Sequence, residues 1–428
     1  MKVLWLCNIM LPAYARAHEL EYSVREGWLS GCFDRINKEP LAEREIELGV
    51  CFPVSSESAC SKETIDGVTY YSFSEDLSHP EKYDGTIENR FREILDDFKP
   101  DIVHIFGTEF PHTLAMLRTF GNPDRALVGI QGVCTRIAKE YMAGIPEEVQ
   151  KSATLRDRLK EDSLMQQQEK YRIRAEHERE SILLTGNVTG RTAFDKEEVL
   201  KLNPNAKYYA MNETMRPSFY QDKWEEKNAQ PHSIFLSQGD YPLKGFHFVL
   251  EAMPYILEKY PDAHLYVAGN NIIGKGQSKY PYFLRASAYG KYLKSIIAAN
   301  KLKKKVTMVG MLSEEQMKQR MLDSSLFVCA SVVENSPNSL AEAMLLGMPI
   351  VAARVGGIPS MINANKECSF FEPGDVKGLA EAVVQMWDEP VISGVYGDNA
   401  RKHAQMTHDP DANYKRLIQI YKQIFDQK

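Results

Sequence analysis

Long hydrophobic runs are missing from this chain of 428 residues, since no stretch of about eighteen apolar positions occurs and so no membrane-spanning helix is expected. The opening MKVLWLCNIMLP is too short and too weakly basic for a secretory signal, and it reads as a first buried strand over 3–7. Cysteine is sparse and unpatterned. Seven residues (Cys7, Cys32, Cys51, Cys60, Cys134, Cys329 and Cys368) are scattered without a CxxC pair. An odd, dispersed set points to reduced thiols and argues against a zinc site. Positive charge is not in excess either: the net charge of −6 gives no global attraction to nucleic acid. Short repeats and low-complexity tracts are also lacking.

What is present is ordinary soluble-enzyme composition, 43% hydrophobic and 26% charged, in a chain longer than one core normally supports. Short apolar runs alternate with helical patterns, the mark of βα units and parallel sheets. Strands are expected at 3–7, 47–52, 102–106, 126–130, 182–186 and 207–210, then at 233–237, 264–268, 306–309, 326–330 and 350–353. Two similar sets predict two Rossmann-like domains, over 1–215 and 231–408, facing a cleft. The polar stretch Arg216 to Gln230 separates them as a linker. A last helix over 411–426 carries an apolar stripe through Tyr414, Leu417, Ile418, Tyr421 and Phe425. The charged segment 151–181 reads as a solvated helix on the first domain. Lys301, Lys303, Lys304 and Lys305 read as an exposed basic loop.

One segment concentrates the chemistry. SVVENSPNSLAEAMLLGMPIVAARVGGIP, residues 331–359, places a loop with Glu334 before a helix that opens near Pro337–Asn338 and carries Glu342. Gly347 and Pro349 stop that helix, and a buried strand over 350–353 runs into Gly356–Gly357. A helix N-terminus behind a polar loop offers unpaired backbone N–H groups and a positive dipole end, which suits a diphosphate. Carboxylates cannot hold phosphate, but they accept hydrogen bonds from sugar hydroxyls beside it. Upstream, the strand at 233–237 leads into SQGDYPLKGFHF, where Lys244 before Gly245 is placed to neutralise charge growing on a leaving diphosphate.

Together these segments resemble the donor site of the retaining GT-B glycosyltransferases of family four, the E-x7-E group. The resemblance implies that Glu334 lies near the donor sugar, and that Asn335, Asn338, Ser339 and Leu340 hold sugar and diphosphate. Glu342 would bind the nucleotide ribose. Lys244, Glu334 and Gln238 are the expected catalytic group. Gln238 stands where the family usually has an arginine, which removes one of two cations from the phosphate clamp. Gly310, Met311 and Leu312 are expected near the nucleotide base, with Gly269 close to the ligand at the same sheet edge. Gly356–Gly357 is expected to shape the cleft wall.

The first domain is less explicit. Glu109 and His112 lie past the strand at 102–106, where functional residues of open α/β sheets gather. His104, inside that strand, reads as a core histidine. Gln131 stands where many relatives carry a histidine. Gly27 is a candidate for close approach to the donor or for a helix start, and Arg191 for a ligand contact or a structural ion pair. By the same resemblance Glu109, Gln131, Arg191 and Gly27 form the acceptor side, and the last helix packs back on the first domain.

The implied activity is transfer of a sugar, with retention, from a UDP- or GDP-sugar to a glycan or lipid-linked acceptor, in bacterial polysaccharide biosynthesis. No cofactor, metal or nucleic acid is expected, the nucleotide sugar being a co-substrate. The expected place is the cytoplasm, with peripheral contact at the inner membrane face. The alternative is a catalytically weak or silent nucleotide-sugar-binding partner subunit on the same fold, to which Gln131 and Gln238 lend support.

Overall fold

The apolar runs become the strands of two separate sheets in the computed structural model, which describes residues 1–20, 27–56, 59–274 and 286–427. One unit comprises Met1–Thr135, Lys170–Arg216 and Thr407–Lys428; the other comprises Arg136–Glu169 and Pro217–Met406. The stretch 136–169 therefore groups with the second unit, whereas the sequence kept it with the first.

The first unit carries β1 (Lys2–Leu6), β2 (Glu47–Val54), β3 (Lys62–Ile65), β4 (Val68–Ser74), β5 (Ile102–Phe106), β6 (Ala126–Gly129), β7 (Asn187–Gly190) and β8 (Lys207–Ala210). They form one sheet in the order β3-β4-β2-β1-β5-β6-β7-β8, parallel except for the β3–β4 pair. Val3 to Leu6 and Ile102 to Phe106 are buried throughout, as befits central strands covered on both faces. Leu4, Leu6, Phe73, Phe91, Ile94, Val103, Ile105 and Val128 share the core of this unit.

Two local departures from expectation stand out here. The β3–β4 hairpin was not foreseen, although its Asp66–Gly67 turn is a strong two-residue hairpin signal. The run at 182–186 is not a strand. The helix Leu164–Leu183 absorbs Ile182 and Leu183, and the strand begins only at Asn187. A short apolar run does not by itself separate a helix end from a buried strand.

The last helix, Pro410–Phe425, belongs to this first unit and buries Leu417, Ile418, Ile420, Tyr421 and Ile424. Phe425, in the predicted stripe, is 42% exposed.

The second unit carries β9 (Gln230–Leu236), β10 (His264–Ala268), β11 (Val306–Gly310), β12 (Ser324–Cys329), β13 (Ile350–Ala353) and β14 (Ser369–Phe371), all parallel, in the order β11-β10-β9-β12-β13-β14. β14 was also unforeseen. The predicted linker is pinned to the second unit at Trp224, which donates its indole N–H to Ser324 O at 2.8 Å and its backbone N–H to Leu346 O at 2.8 Å. Among the described residues, no helix is long and apolar enough to cross a membrane.

Candidate functional site

Strand order decides where a ligand can enter each sheet. In the second unit the chain leaves β9 for β10 on one side and returns through β12 on the other, so the loops after β9 and β12 diverge. Such a switch point opens a crevice at the carboxyl ends of the strands. The loop after β9 carries Gln238 and Lys244; the loop after β12 carries Glu334.

These two loops are joined. Val332 N donates to Leu243 O at 2.9 Å, and Lys244 Nζ meets Glu334 Oε1 at 2.5 Å. Ser331 Oγ donates to the same carboxylate oxygen at 2.8 Å. The lysine and glutamate side chains are only 21% and 14% exposed. Burial works against the Lys244 ammonium, but the Glu334 carboxylate, helped by Tyr241 and the direct hydrogen bond, holds its pKa well above the usual lysine value. Lys244 therefore stays charged at any working pH. Gln238 is half-buried and its side-chain oxygen accepts from Tyr241 OH at 3.3 Å.

Two glycines make this junction possible. Gly245 has φ of +67°, and a Cβ there would lie 1.8 Å from Ala330 O. Only glycine lets the lysine turn rest on the end of β12. Gly356 has φ of +48°, a Cβ on it would lie 1.9 Å from Glu334 O, and Gly357 N donates to that same carbonyl at 2.9 Å. The Gly-Gly pair, expected as cleft wall, thus supports the backbone of Glu334.

The helix Asn338–Leu346 follows, with Pro337 as N-cap and no side-chain cap hydrogen bond. Leu340 N already donates to Pro337 O at 3.0 Å, and the Leu340 side chain is fully buried. Of the three predicted amides, those of Asn338 and Ser339 are the ones a helix start leaves without an intrahelical partner. Asn335 and Glu342 are 5% exposed, the latter within a helix that is buried from Leu340 to Leu346. At the far edge, the Gly310 carbonyl closes β11 by accepting from Gly269 N–H at 3.0 Å. Met311 is half exposed and Leu312 half-buried beside it. Among the described residues, no three His, Cys, Asp or Glu side chains are grouped to hold a metal ion.

The first unit has its own switch point, between β1 and β5. Asn8, Gly107, Glu109 and Gln131 meet there: a Cβ on Gly107 would lie 2.4 Å from Glu109 Oε2, 2.9 Å from Asn8 Nδ2 and 3.4 Å from Gln131 Cγ. The Glu109 carboxylate accepts from Thr108 N at 2.9 Å and Gly132 N at 2.5 Å. His112 is buried and bridges Glu75 Oε2 at 2.6 Å and Asn8 Oδ1 at 2.9 Å. Arg191 takes the structural alternative. It is ion-paired with Glu213 and holds Gln131 Oε1 at 3.3 Å, with 9% of its side chain exposed. Burial lowers its pKa to about 10. Gly27 begins the helix Gly27–Asn37, and a Cβ there would overlap Arg216 Cγ at 2.2 Å, so the arginine stem occupies the approach expected of a ligand. Residues 21–26 of that predicted segment lie outside the described residues.

Several participants went unforeseen. Ser331 and Tyr241 had no signal beyond adjacency to Glu334 and Lys244. Glu178 is one of four glutamates in a charged helix, yet it is 1% exposed and accepts from Thr108 Oγ at 2.7 Å and Cys134 N at 3.1 Å.

Residues 219–403 match the family model of the glycosyl transferases group 1. Curated relatives include a protein described as a putative teichuronic acid biosynthesis glycosyltransferase of Bacillus subtilis, 26% identical over 115 residues, 27% of this chain and 29% of the relative. A second is the phosphatidylinositol N-acetylglucosaminyltransferase GPI3 subunit of Saccharomyces cerevisiae, 23% identical over 241 residues, 56% of this chain and 48% of the relative. In both, less than half of the relative's own length is matched. Among solved structures, sucrose-phosphate synthase from Thermosynechococcus elongatus superposes with a TM-score of 0.68 at 13% identity over 99% of both chains. HepE of Anabaena, in complex with UDP-glucose, gives 0.64 at 14% identity over 99% of this chain and 100% of that one. Residues 219–403 are thus similar to the glycosyl transferases group 1, and the chain shares the GT-B fold of these solved structures.

Proposed function

We propose that this protein is a retaining glycosyltransferase that moves a sugar from a nucleotide-diphosphate donor to a glycan or lipid-linked acceptor in the assembly of a bacterial surface polysaccharide. The observation that carries this reading is the Lys244–Glu334 pair beside the uncapped start of the helix Asn338–Leu346, at the switch point of the second sheet. HepE is described in complex with UDP-glucose, which makes UDP-sugars the first donors to try.

In this scheme Glu334 accepts hydrogen bonds from the donor sugar, and Glu342 holds the ribose. As the glycosidic bond to the diphosphate breaks, its leaving oxygen takes the proton of the attacking acceptor hydroxyl. Lys244 and the amides of Asn338 and Ser339 take up the negative charge, so neither a metal nor a cofactor is required of the reaction. Glu109 and Gln131 serve the acceptor, from a protein that works at the cytoplasmic face of the membrane.

Binding of nucleotide diphosphates raises stability by mass action, about 2.7 kcal/mol at a hundred times Kd. A thermal-shift panel of UDP, GDP and their sugars should therefore give a rise with one base. Lys244→Ala should cut turnover roughly 10²–10³-fold, the scale of losing one preorganised charge stabiliser. Glu342→Ala should mainly raise the donor KM. No shift with any nucleotide, together with full turnover in Lys244→Ala, would sink the proposal.

A second reading, a silent nucleotide-sugar-binding subunit, is favoured by Gln238 and by the engagement of Lys244 with Glu334. Slow release of nucleotide diphosphate from the donor without acceptor separates the two, since only the enzyme produces it.

A further inference from the structure

A chain of hydrogen bonds in the first unit fixes the proton of one buried histidine. Trp5 Nε1–H donates to Tyr421 OH at 2.8 Å, and an indole nitrogen can only donate. Tyr421 has one proton, and His104 Nδ1 lies 2.7 Å from its oxygen. Donating that proton to Nδ1 satisfies both the hydroxyl and the ring nitrogen, which places the imidazole's own proton on Nε2. His104 is fully buried, which lowers its pKa to about 3 and keeps the ring neutral.

Nε2–H is then a buried donor, and among the described residues it has no protein acceptor. The Nε–H of Arg191 is in the same position. Both side chains line one cavity of about 20 Å³, together with Gly129, Thr189, Met211 and Glu213. A cavity needs roughly 10–15 Å³ to hold a single water, and a buried water typically makes about three hydrogen bonds. Two unsatisfied donors on residues that line one small space call for an oxygen that accepts twice. Glu213, on the same wall, offers carboxylate oxygens to that oxygen's own protons.

We infer that the cavity between His104 and Arg191 is a binding site for one hydroxyl-type oxygen, held as a resident water that links the C-terminal helix to Gln131. The link runs from Tyr421 through His104 and the oxygen to Arg191, whose Nη1 and Nη2 hold Gln131 Oε1 at 3.4 and 3.3 Å. Without that oxygen both donors would stay unsatisfied in the interior, so the oxygen is part of what fixes the arginine. Gln131 is thereby positioned from the far end of the chain. This inference stands apart from the proposed activity.

The test reads the native protein first. Long-range 1H–15N spectra of histidine-labelled protein at neutral pH should show His104 protonated at Nε2 and bare at Nδ1, with cross-relaxation between Hε2 and a long-lived water. High-resolution crystals should hold one ordered oxygen at about 2.7–3.2 Å from both nitrogens. Gly129→Ala would set a methyl 3.7 Å from His104 Nε2 without backbone overlap, and should remove the oxygen and its cross-peak while the tautomer stays. A proton on Nδ1, native crystals without an oxygen between the two nitrogens, or full occupancy retained in Gly129→Ala would each overturn the inference.

Discussion

At the scale of single residues, charge and burial work in opposite directions, and Glu178 shows the balance. Burial, with the nearby Glu109 charge adding to it, raises its pKa to about 7 against the hydrogen bonds from Thr108, Cys134 and Thr135. A raised carboxyl pKa means that the folded chain keeps a proton the unfolded chain loses above pH 4.5. Stability should therefore fall as pH rises from about 4.5 to 7 and level off above, by about 3 kcal/mol for this group. Urea unfolding at pH 5 and pH 8 should show that fall in the native chain and a flatter profile in Glu178→Gln. Equal slopes in the two proteins would clear Glu178 of the effect.

Residue-level chemistry was legible where type and order coincide. Lys244, Glu334 and the helix start at Asn338 were placed in sequence because Gly245, Pro337 and Gly347 punctuate them, and glycine and proline act locally. Arg191 was not decidable. Whether a cation serves ligand or core depends on a distant carboxylate, here Glu213, and no local spacing encodes that meeting. Glu178 and Ser331 were invisible for the same reason.

Among elements, the parallel strands were read most reliably, because β1, β5 and β13 are buried almost throughout and are mostly apolar. Failures fell at edges. β3 is an edge strand with the pattern KETI, too polar to register, and β14 has only three residues. The helix ending at Leu183 borrowed the appearance of a strand from Ile182 and its neighbours.

The element with most leverage is the turn at Gly245. A side chain there meets both a positive φ and the Ala330 carbonyl, so the turn must lift off β12 and carry Lys244 away from Glu334. Gly245→Ala should cost about 1–3 kcal/mol of stability, the scale of a strained backbone residue, and should reduce turnover at least as far as Lys244→Ala. Differential scanning and steady-state kinetics on one preparation will show both, and native turnover in Gly245→Ala would contradict the argument.

At the scale of the whole molecule, the first unit draws on three separate stretches of chain, the last of them Thr407–Lys428. Five buried residues of the final helix, Leu417, Ile418, Ile420, Tyr421 and Ile424, complete its packing. Large apolar side chains contribute about 1.5–3 kcal/mol each on burial, so together they rival the 5–15 kcal/mol that stabilises a typical domain. A chain ending at Met406 should lose cooperative unfolding of the first unit while the second still melts as a unit. Limited proteolysis with mass mapping would reveal the difference, and an intact first unit after truncation would refute it.

Synthesis is directional, and that gives the final helix a role in timing. The second unit has all its residues by Met406, whereas the first still lacks Tyr421 at that point. The unit begun earlier is thus completed later, and its sheet must be kept from aggregating while the whole second unit is made.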